Sequence, residues 1–456
     1  MTKDYFTINK NSTFLECLSS IDKNKNGIIF IIDDQSIVIG VLTDGDIRDN
    51  FLTGAKPEDK IGNNYNNNFV SVAENTPLED ILKRLDFDIK VIPILNKKGN
   101  LVDIASQQSI PLKNEKKIYA RSKAPVRVTF SGGGSDLSHF FESETGAVIN
   151  ATISLFSHAV LRLRDDKKII VQSSDLNKSW KFPNLTDALD SLDNDFGLFK
   201  SLFQAIKPET GFELHVTSDF ENGSGLGGSS AVSASVIGCF NEFRKDKWDS
   251  YDIAELAFQA ERLHMKIAGG WQDQYATVFG GFNFIEFKKD KNSVQPLRID
   301  KKTLIELEES LIMYKIGSRD EYAGDDIHKD QEIVMKSVDV KNKVKDSVNL
   351  CYEMKELLLR GRVLDFANGL NKAWILKRQF GNIITNTEID SIYNFAIKNG
   401  ALGGKLLGAG GGGHFIFYVD SFQRASFITA MKEINLIKTD FIFEKKGIQS
   451  WTMRDE

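Results

Sequence analysis

Two acids and three glycine clusters carry the chemistry in this sequence. Glu261 falls in a helical stretch, 253–265, and Asp273 stands twelve positions later in Gly269-Gly270-Trp271-Gln272-Asp273-Gln274-Tyr275. Phosphoryl transfer asks for few groups: held phosphates, a magnesium ion, and a carboxylate that orients or deprotonates the attacking hydroxyl. An aspartate behind a glycine pair can project into a cleft as that carboxylate, and Glu261 can supply a metal ligand. Taken singly, acids of this kind are more often solvated surface groups. His264 and His414 stand too far from other ligand types for a metal site, and packing or exposure accounts for each.

The central glycine cluster is Asn222-Gly223-Ser224-Gly225-Leu226-Gly227-Gly228-Ser229-Ser230-Ala231. It follows a strand-like run, 212–218, and precedes a helix of small residues, 232–243. Glycines let the backbone approach a polyphosphate, and the helix start adds unpaired N–H groups and a positive dipole end. Ser229 and Ser230 add hydroxyls for phosphate oxygens or a magnesium ion. A glycine turn packed for close helix contact is the plainer alternative, but strand, loop, paired serines and helix in that order favour phosphate. No Gly-x4-Gly-Lys-[Ser/Thr] loop occurs anywhere in the chain.

A second cluster, Gly132-Gly133-Gly134-Ser135-Asp136, ends a strand that carries Arg127. Asp136 can cap the following helix or bind sugar hydroxyls. The third, Gly403-Gly404-Lys405-Leu406-Leu407-Gly408-Ala409-Gly410-Gly411-Gly412-Gly413-His414, enters the strand 415–419. So many glycines cost backbone entropy, which favours a loop bordering a ligand over a plain turn.

The elements that must position these residues belong to a chain of 456 residues, enough for two or three domains. Hydrophobic residues at 41% and charged residues at 27% fit a globular protein. A formal charge of −5 gives no global attraction to nucleic acid or anionic lipid. The three separated cysteines, Cys17, Cys239 and Cys351, suit a reducing compartment. The first residues lack the apolar core of a signal peptide, and the longest apolar runs are strand-length, so a soluble cytoplasmic protein is expected.

Residues 1–112 read as two similar units of helix, apolar run, turn and apolar run, sharing one core. In the first, 28–32 and 37–42 are strands, and Thr43-Asp44-Gly45-Asp46 caps a helix through Leu52. In the second, 77–85 is helical, and 91–95 and 101–104 are strands. A charged linker, 113–120, leads to the second part, 121–456. There strands and amphipathic helices mix as α+β in two lobes, about 121–300 and 301–456. Helical patterns cover 338–359, 363–380 and 387–398.

Taken together, the three glycine clusters, in order and spacing, resemble the motifs of the GHMP kinase superfamily. The closest likeness is to D-glycero-D-manno-heptose 7-phosphate kinases, through 123–137, the Gly-Gly-Trp-Gln-Asp-Gln-Tyr run and 403–413. The resemblance implies a ribosomal S5-like first lobe, a ferredoxin-like second lobe, and ATP with Mg2+ as cofactors. It implies that Gly223, Gly225, Leu226, Gly227, Gly228 and Ala231 bind ATP together with Ser229 and Ser230. Ser229 or Ser230 with Glu261 would hold magnesium. Asp273 would be the base, with Arg127 stabilising charge nearby. Gly133, Gly134, Ser135, Asp136, Gly411 and Gly412 would meet the sugar. The segment 315–324 departs from the Thr-Gly found in many members; Arg319, with Lys377 and Arg378, is the expected clamp on the sugar's own phosphate.

The implied reaction moves the ATP γ-phosphoryl group to the anomeric hydroxyl of the heptose phosphate, for surface polysaccharide. L-fucose or galactose is the alternative acceptor, and a non-catalytic nucleotide-sensing protein is the alternative of another class. The first 112 residues resemble a tandem CBS pair, a small α/β module. There Thr43 and Asp46 would touch a nucleotide's ribose and phosphate, whereas the second unit lacks the Thr-x-x-Asp pair. One site at most is expected, for an adenine nucleotide or nucleotide sugar; structural use or homodimer formation is the other expectation.

Overall fold

The run Ile28–Ile32 has no polar face and pairs along both edges, as such a strand must. In the computed structural model, which describes residues 5–85, 89–106, 117–317, 323–334 and 336–454, it lies parallel to Thr7–Asn9 and antiparallel to Val38–Thr43. Val91–Leu95 lies in the same way between Val72–Ala73 and Leu101–Ser106. The internal repeat is thus two three-stranded sheets of one order. They are tied where the Val38 N–H donates to the Gly99 carbonyl at 3.0 Å and Asn100 Nδ2 donates to the Ser36 carbonyl at 2.9 Å.

Thr43 caps the helix Asp44–Leu52 through a reciprocal box with Asp46. Thr43 Oγ1 donates to Asp46 Oδ2 at 2.7 Å and accepts the Asp46 N–H at 3.1 Å. The two side chains that the resemblance assigned to a nucleotide are therefore bonded to each other. The residues after Ser106 that would mirror this helix lie outside those described.

The chain divides into Met1–Glu115 and Lys116–Glu456. In the second unit the strand Lys117–Ser131 pairs with Gly146–Leu163. That long strand is shared further, with Phe212–Ser218 near its C-terminal end and Phe282–Phe287 near its start. The helix Gly228–Phe243 packs on this sheet through small residues. A Cβ at Gly238 would lie 2.6 Å from Ser122 Oγ and from Ile448 Cδ1, so any larger residue would force those side chains to shift.

A second, wholly antiparallel sheet has the order Ala401–Leu406, His414–Val419, Leu311–Lys315, Ile437–Thr439. In chain order its strands sit 2-3-1-4, the ferredoxin-like arrangement. One hydrophobic core runs between the two sheets. Phe130 is fully buried in it, with ring centroids 5.8 Å from Phe282 and 5.3 Å from Phe366. No helix of the described residues is long and apolar enough to cross a membrane.

Two expected boundaries move. Residues 117–120, expected in the linker, already belong to the strand Lys117–Ser131. The chain also does not end in the second lobe. Gln449–Arg454 returns to pair antiparallel with Lys117–Ser131, because that strand otherwise presents a bare row of N–H and C=O groups along one edge.

Candidate active site

The strand Phe212–Ser218 delivers the chain to Gly223, Gly225 and Gly227, whose φ angles of 72°, 76° and 78° place three left-handed residues at alternate positions. Gly227 is also the N-cap of Gly228–Phe243 and offers no capping side chain. The first N–H groups of that helix thus lie open beside Gly228 and Ser229, which line a cavity of about 290 Å³. Ser229 Oγ donates to Glu261 Oε2 at 2.8 Å and Ser230 Oγ to the same oxygen at 3.2 Å. Glu261 is 1% exposed, and its other oxygen accepts from Gln274 Nε2 at 3.2 Å.

The helix expected over 253–265 is α-helical only over Ser250–Phe258, and Gln259–His264 widens into a π-helical turn. The wider turn changes which side chains share a face. It brings two consecutive residues, Glu261 and Arg262, to the same cavity.

Asp273 stands in the first turn of Gln272–Phe279. Arg127 grips it with two parallel bonds, Nε to Oδ1 and Nη2 to Oδ2, each 2.7 Å, while Nη1 donates to the Gly225 carbonyl at 2.7 Å. One guanidinium thus joins the carboxylate to the glycine loop. Burial disfavours the ionised carboxylate, but Arg127 outweighs it and holds Asp273 below its ordinary value.

Asp136 does not cap the helix Ser138–Phe141, whose N-cap is Leu137. It faces the cavity instead and accepts from the Gly134 N–H at 2.9 Å and the Gln272 N–H at 3.3 Å. Burial first, then the charge of Asp273, pushes its carboxyl upward. Gly270 presses on it so closely that a Cβ there would lie 1.8 Å from Asp136 Oδ2.

The structure therefore brings Arg127, Gly133, Gly134, Asp136, Gly223, Gly225, Gly227, Gly228, Ser229, Glu261, Asp273 and Lys377 to one cavity. Leu226, Ser230, Ala231 and Ser135 support its walls without lining it; Ser135 Oγ, for instance, donates to the Gly132 carbonyl at 2.7 Å.

Gly411 and Gly412, expected against the sugar, are also absent from the lining, because the third glycine loop serves the first one. A Cβ at Gly408 would lie 2.6 Å from the Gly225 carbonyl oxygen, and one at Gly413 2.6 Å from that of Ser224. His414 bonds the Ser224 carbonyl through Nδ1 at 2.8 Å and Thr439 Oγ1 through Nε2 at 3.1 Å, making it a buried positioning residue. Arg378 is engaged elsewhere, 2.6 Å from Asp390 Oδ2. Arg319 lies outside the described residues.

Sequence reasoning missed two groups in the lining of the cavity. One is Ser173, Leu176, Asn194 and Phe199, the other Arg262, His328 and Gln331. The first group carries no motif. Arg262 sits beside Glu261 in sequence, but only the π-turn reveals that the two face one way.

Comparison with known proteins bears on this geometry. The model of the GHMP kinases N terminal domain matches residues 191–281 and that of the GHMP kinases C terminal matches 354–433. A D-glycero-alpha-D-manno-heptose 7-phosphate kinase of Campylobacter jejuni is 38% identical over 340 residues, covering 73% of this chain and 98% of that protein. The chain is a GHMP kinase. The CBS domain model matches 1–53 and 64–110, ahead of the kinase.

This GHMP kinase is also similar, at 26% identity and a TM-score of 0.61, to the crystal structure of a D-glycero-D-manno-heptose 1-phosphate kinase from Bacteroides thetaiotaomicron, covering 73% of this chain and 99% of that one. An L-fucokinase/L-fucose-1-P guanylyltransferase of Bacteroides fragilis is 24% identical over 73% of this chain, which spans 38% of its length. As a GHMP kinase the chain is a phosphotransferase acting on an alcohol acceptor.

Proposed function

We propose that this GHMP kinase transfers the γ-phosphoryl group of ATP to the anomeric hydroxyl of D-glycero-D-manno-heptose 7-phosphate. The observation that carries the reading is the Arg127–Asp273 pair, placed in one cavity with the open N-terminus of Gly228–Phe243. The glycine loop and helix N–H groups hold the triphosphate. Asp136 and the Gly133–Gly134 backbone hold sugar hydroxyls.

The acceptor oxygen attacks the γ-phosphorus, the bond to the β,γ-bridging oxygen breaks, and ADP leaves. Asp273 orients the acceptor hydroxyl and receives its proton as the new P–O bond forms. A carboxylate held so acidic is a weak base, so orientation is its larger contribution, as suits a loose phosphoryl-transfer transition state. Arg127 keeps that carboxylate in place against the loop.

A magnesium ion fits the donor set. Ser229 and Glu261 supply hard oxygens, with a single carboxylate, as suits an ion that keeps water and phosphate oxygens. When bound it offsets charge on the transferring phosphates.

The buried free cysteines fit a reducing, cytoplasmic setting. A nucleotide at the CBS module, or a homodimer formed through it, belongs to the same proposal. The contact between Thr43 and Asp46 uses Asp46 Oδ2, which leaves the other carboxylate oxygen for a ligand.

An acceptor panel with ADP release as readout tests the reaction. Turnover is expected on the heptose phosphate. Turnover on L-fucose or galactose alone would move the acceptor, and none on any sugar would leave a nucleotide-binding protein.

The two aspartates also separate by pH. Asp136, with its raised value, takes up a proton first as the medium is acidified. Asp273, with its lowered value, does so last. The acceptor KM is therefore expected to rise at a pH where kcat is still flat, in profiles run from neutral to acid. Coincident acid limbs in KM and kcat would contradict this assignment.

A further inference from the structure

Arg127 and Thr129 are alternate residues of the strand Lys117–Ser131, so their side chains leave one face about 7 Å apart. Each grips one of two consecutive residues in the first turn of Gln272–Phe279. Arg127 holds Asp273, and Thr129 Oγ1 donates to Gln272 Oε1 at 3.0 Å. The strand thereby ranks the two by distance from the glycine loop. Arg127 adjoins that loop, donating to the Gly225 carbonyl and, through its backbone N–H, to that of Leu226 at 3.0 Å. A Cβ at Gly227 would meet Asp273 Oδ2 at 3.2 Å. Gln272 instead meets Asp136, to which its N–H donates at 3.3 Å, and Gly133, whose Cβ would stand 3.7 Å from Gln272 Nε2. In-line transfer puts the acceptor beyond the carboxylate, as seen from the phosphates. Gln272 is on that side.

The amide of Gln272 is met at one end only. It is 9% exposed and lines the cavity. With Oε1 on Thr129, Nε2 lies beside Gly133 and has no hydrogen-bond partner among the described residues. Lys405 Nζ, from the second sheet, donates to the Thr129 carbonyl at 3.1 Å, so the anchor is itself held. A near-buried donor fixed in this way and left unmet is one that a ligand completes.

We propose that Gln272 is a specificity-determining residue for the acceptor, donating from Nε2 to a ring hydroxyl whose own proton bonds Asp136. The class of ligand follows from the pair. A sugar hydroxyl both accepts and donates, and a neutral amide beside a carboxylate answers both halves. A phosphate oxygen would suit the amide but be repelled by Asp136. The inference rests on the kinase reading above and adds to it a residue that reads the sugar ring.

The test runs heptose 7-phosphate and its 2-, 3- and 4-deoxy forms on the full chain, as wild type and as Gln272→Leu. On the parent sugar the variant should lose about 10-fold in kcat/KM, the size of one neutral hydrogen bond, with the KM for ATP unchanged. On the deoxy form that lacks the partner hydroxyl, wild type should already be low by that factor and the variant no lower. An equal fold-loss on all the acceptors would overturn the proposal and leave Gln272 as a structural tie to Thr129. Gln272→Glu keeps the Thr129 bond but replaces the donor with an acceptor. It should erase the same coupling, and it carries the comparison should Gln272→Leu not fold. Wild type inactive on heptose 7-phosphate would instead overturn the acceptor reading; deoxy forms of the sugar that is turned over then decide Gln272 by the same comparison.

Discussion

Asp273→Asn is expected to lower kcat by about 10³-fold, within the range for loss of a positioned acid–base group, while ATP binding changes little. The amide keeps the shape of the carboxylate but cannot take a proton, and only one of its two atoms can accept from Arg127. The guanidinium, 4% exposed in its side chain, then loses half of its 2.7 Å fork. A buried cation left without its partner costs about 3–5 kcal/mol of stability, so the variant should also melt earlier. Single-turnover rates and an ATP titration on the folded fraction separate the two effects. Residual turnover within tenfold of wild type would remove Asp273 from the reacting centre.

The second large effect comes from the smallest possible addition. Gly270→Ala places a methyl group 1.8 Å from Asp136 Oδ2, so one of them must move. Asp136 has little room, because its oxygens accept from the Gly134 and Gln272 N–H groups and its own carbonyl accepts from the Trp271 N–H at 3.1 Å. The shift therefore passes to the neighbours of Asp273. Misplacement of reacting groups by about 1 Å costs about 10²-fold, and a loss of at least that size is expected in kcat/KM for the acceptor. The glycine loop is untouched, so ATP affinity should hold. A fall in ATP affinity with unchanged acceptor KM would show that Gly270 borders the nucleotide instead.

Local signals were strong enough to read much of this from the chain. The strand Phe212–Ser218 and the helices Val338–Leu359 and Thr387–Lys398 have the bounds that their apolar spacing suggests. The three glycine clusters and Asp273 were legible because such backbone and such an acid have few other uses in combination.

What escaped is what depends on distant partners. Arg262 needed the π-turn, which no periodicity announces. His414, set aside as packing, became a brace only once Ser224 folded against it. The third glycine loop read as a ligand border, and Gly408 and Ala409 do line the cavity, but the bareness of the loop also serves its close stacking on the first one, which no spacing announces. Asn194 and Phe199 reach the cavity from elements without any chemical signature.

The last strand, Gln449–Arg454, sets a rule for biosynthesis. Its partner, Lys117–Ser131, is the first strand of the catalytic unit to leave the ribosome. Translation at about 5–20 residues per second leaves that strand waiting on the order of tens of seconds for the far end. The leading pair of sheets can mature while the rest is still being made. The sheet that carries the phosphotransferase chemistry is finished only once Gln449–Arg454 has been made and has folded back onto its first strand.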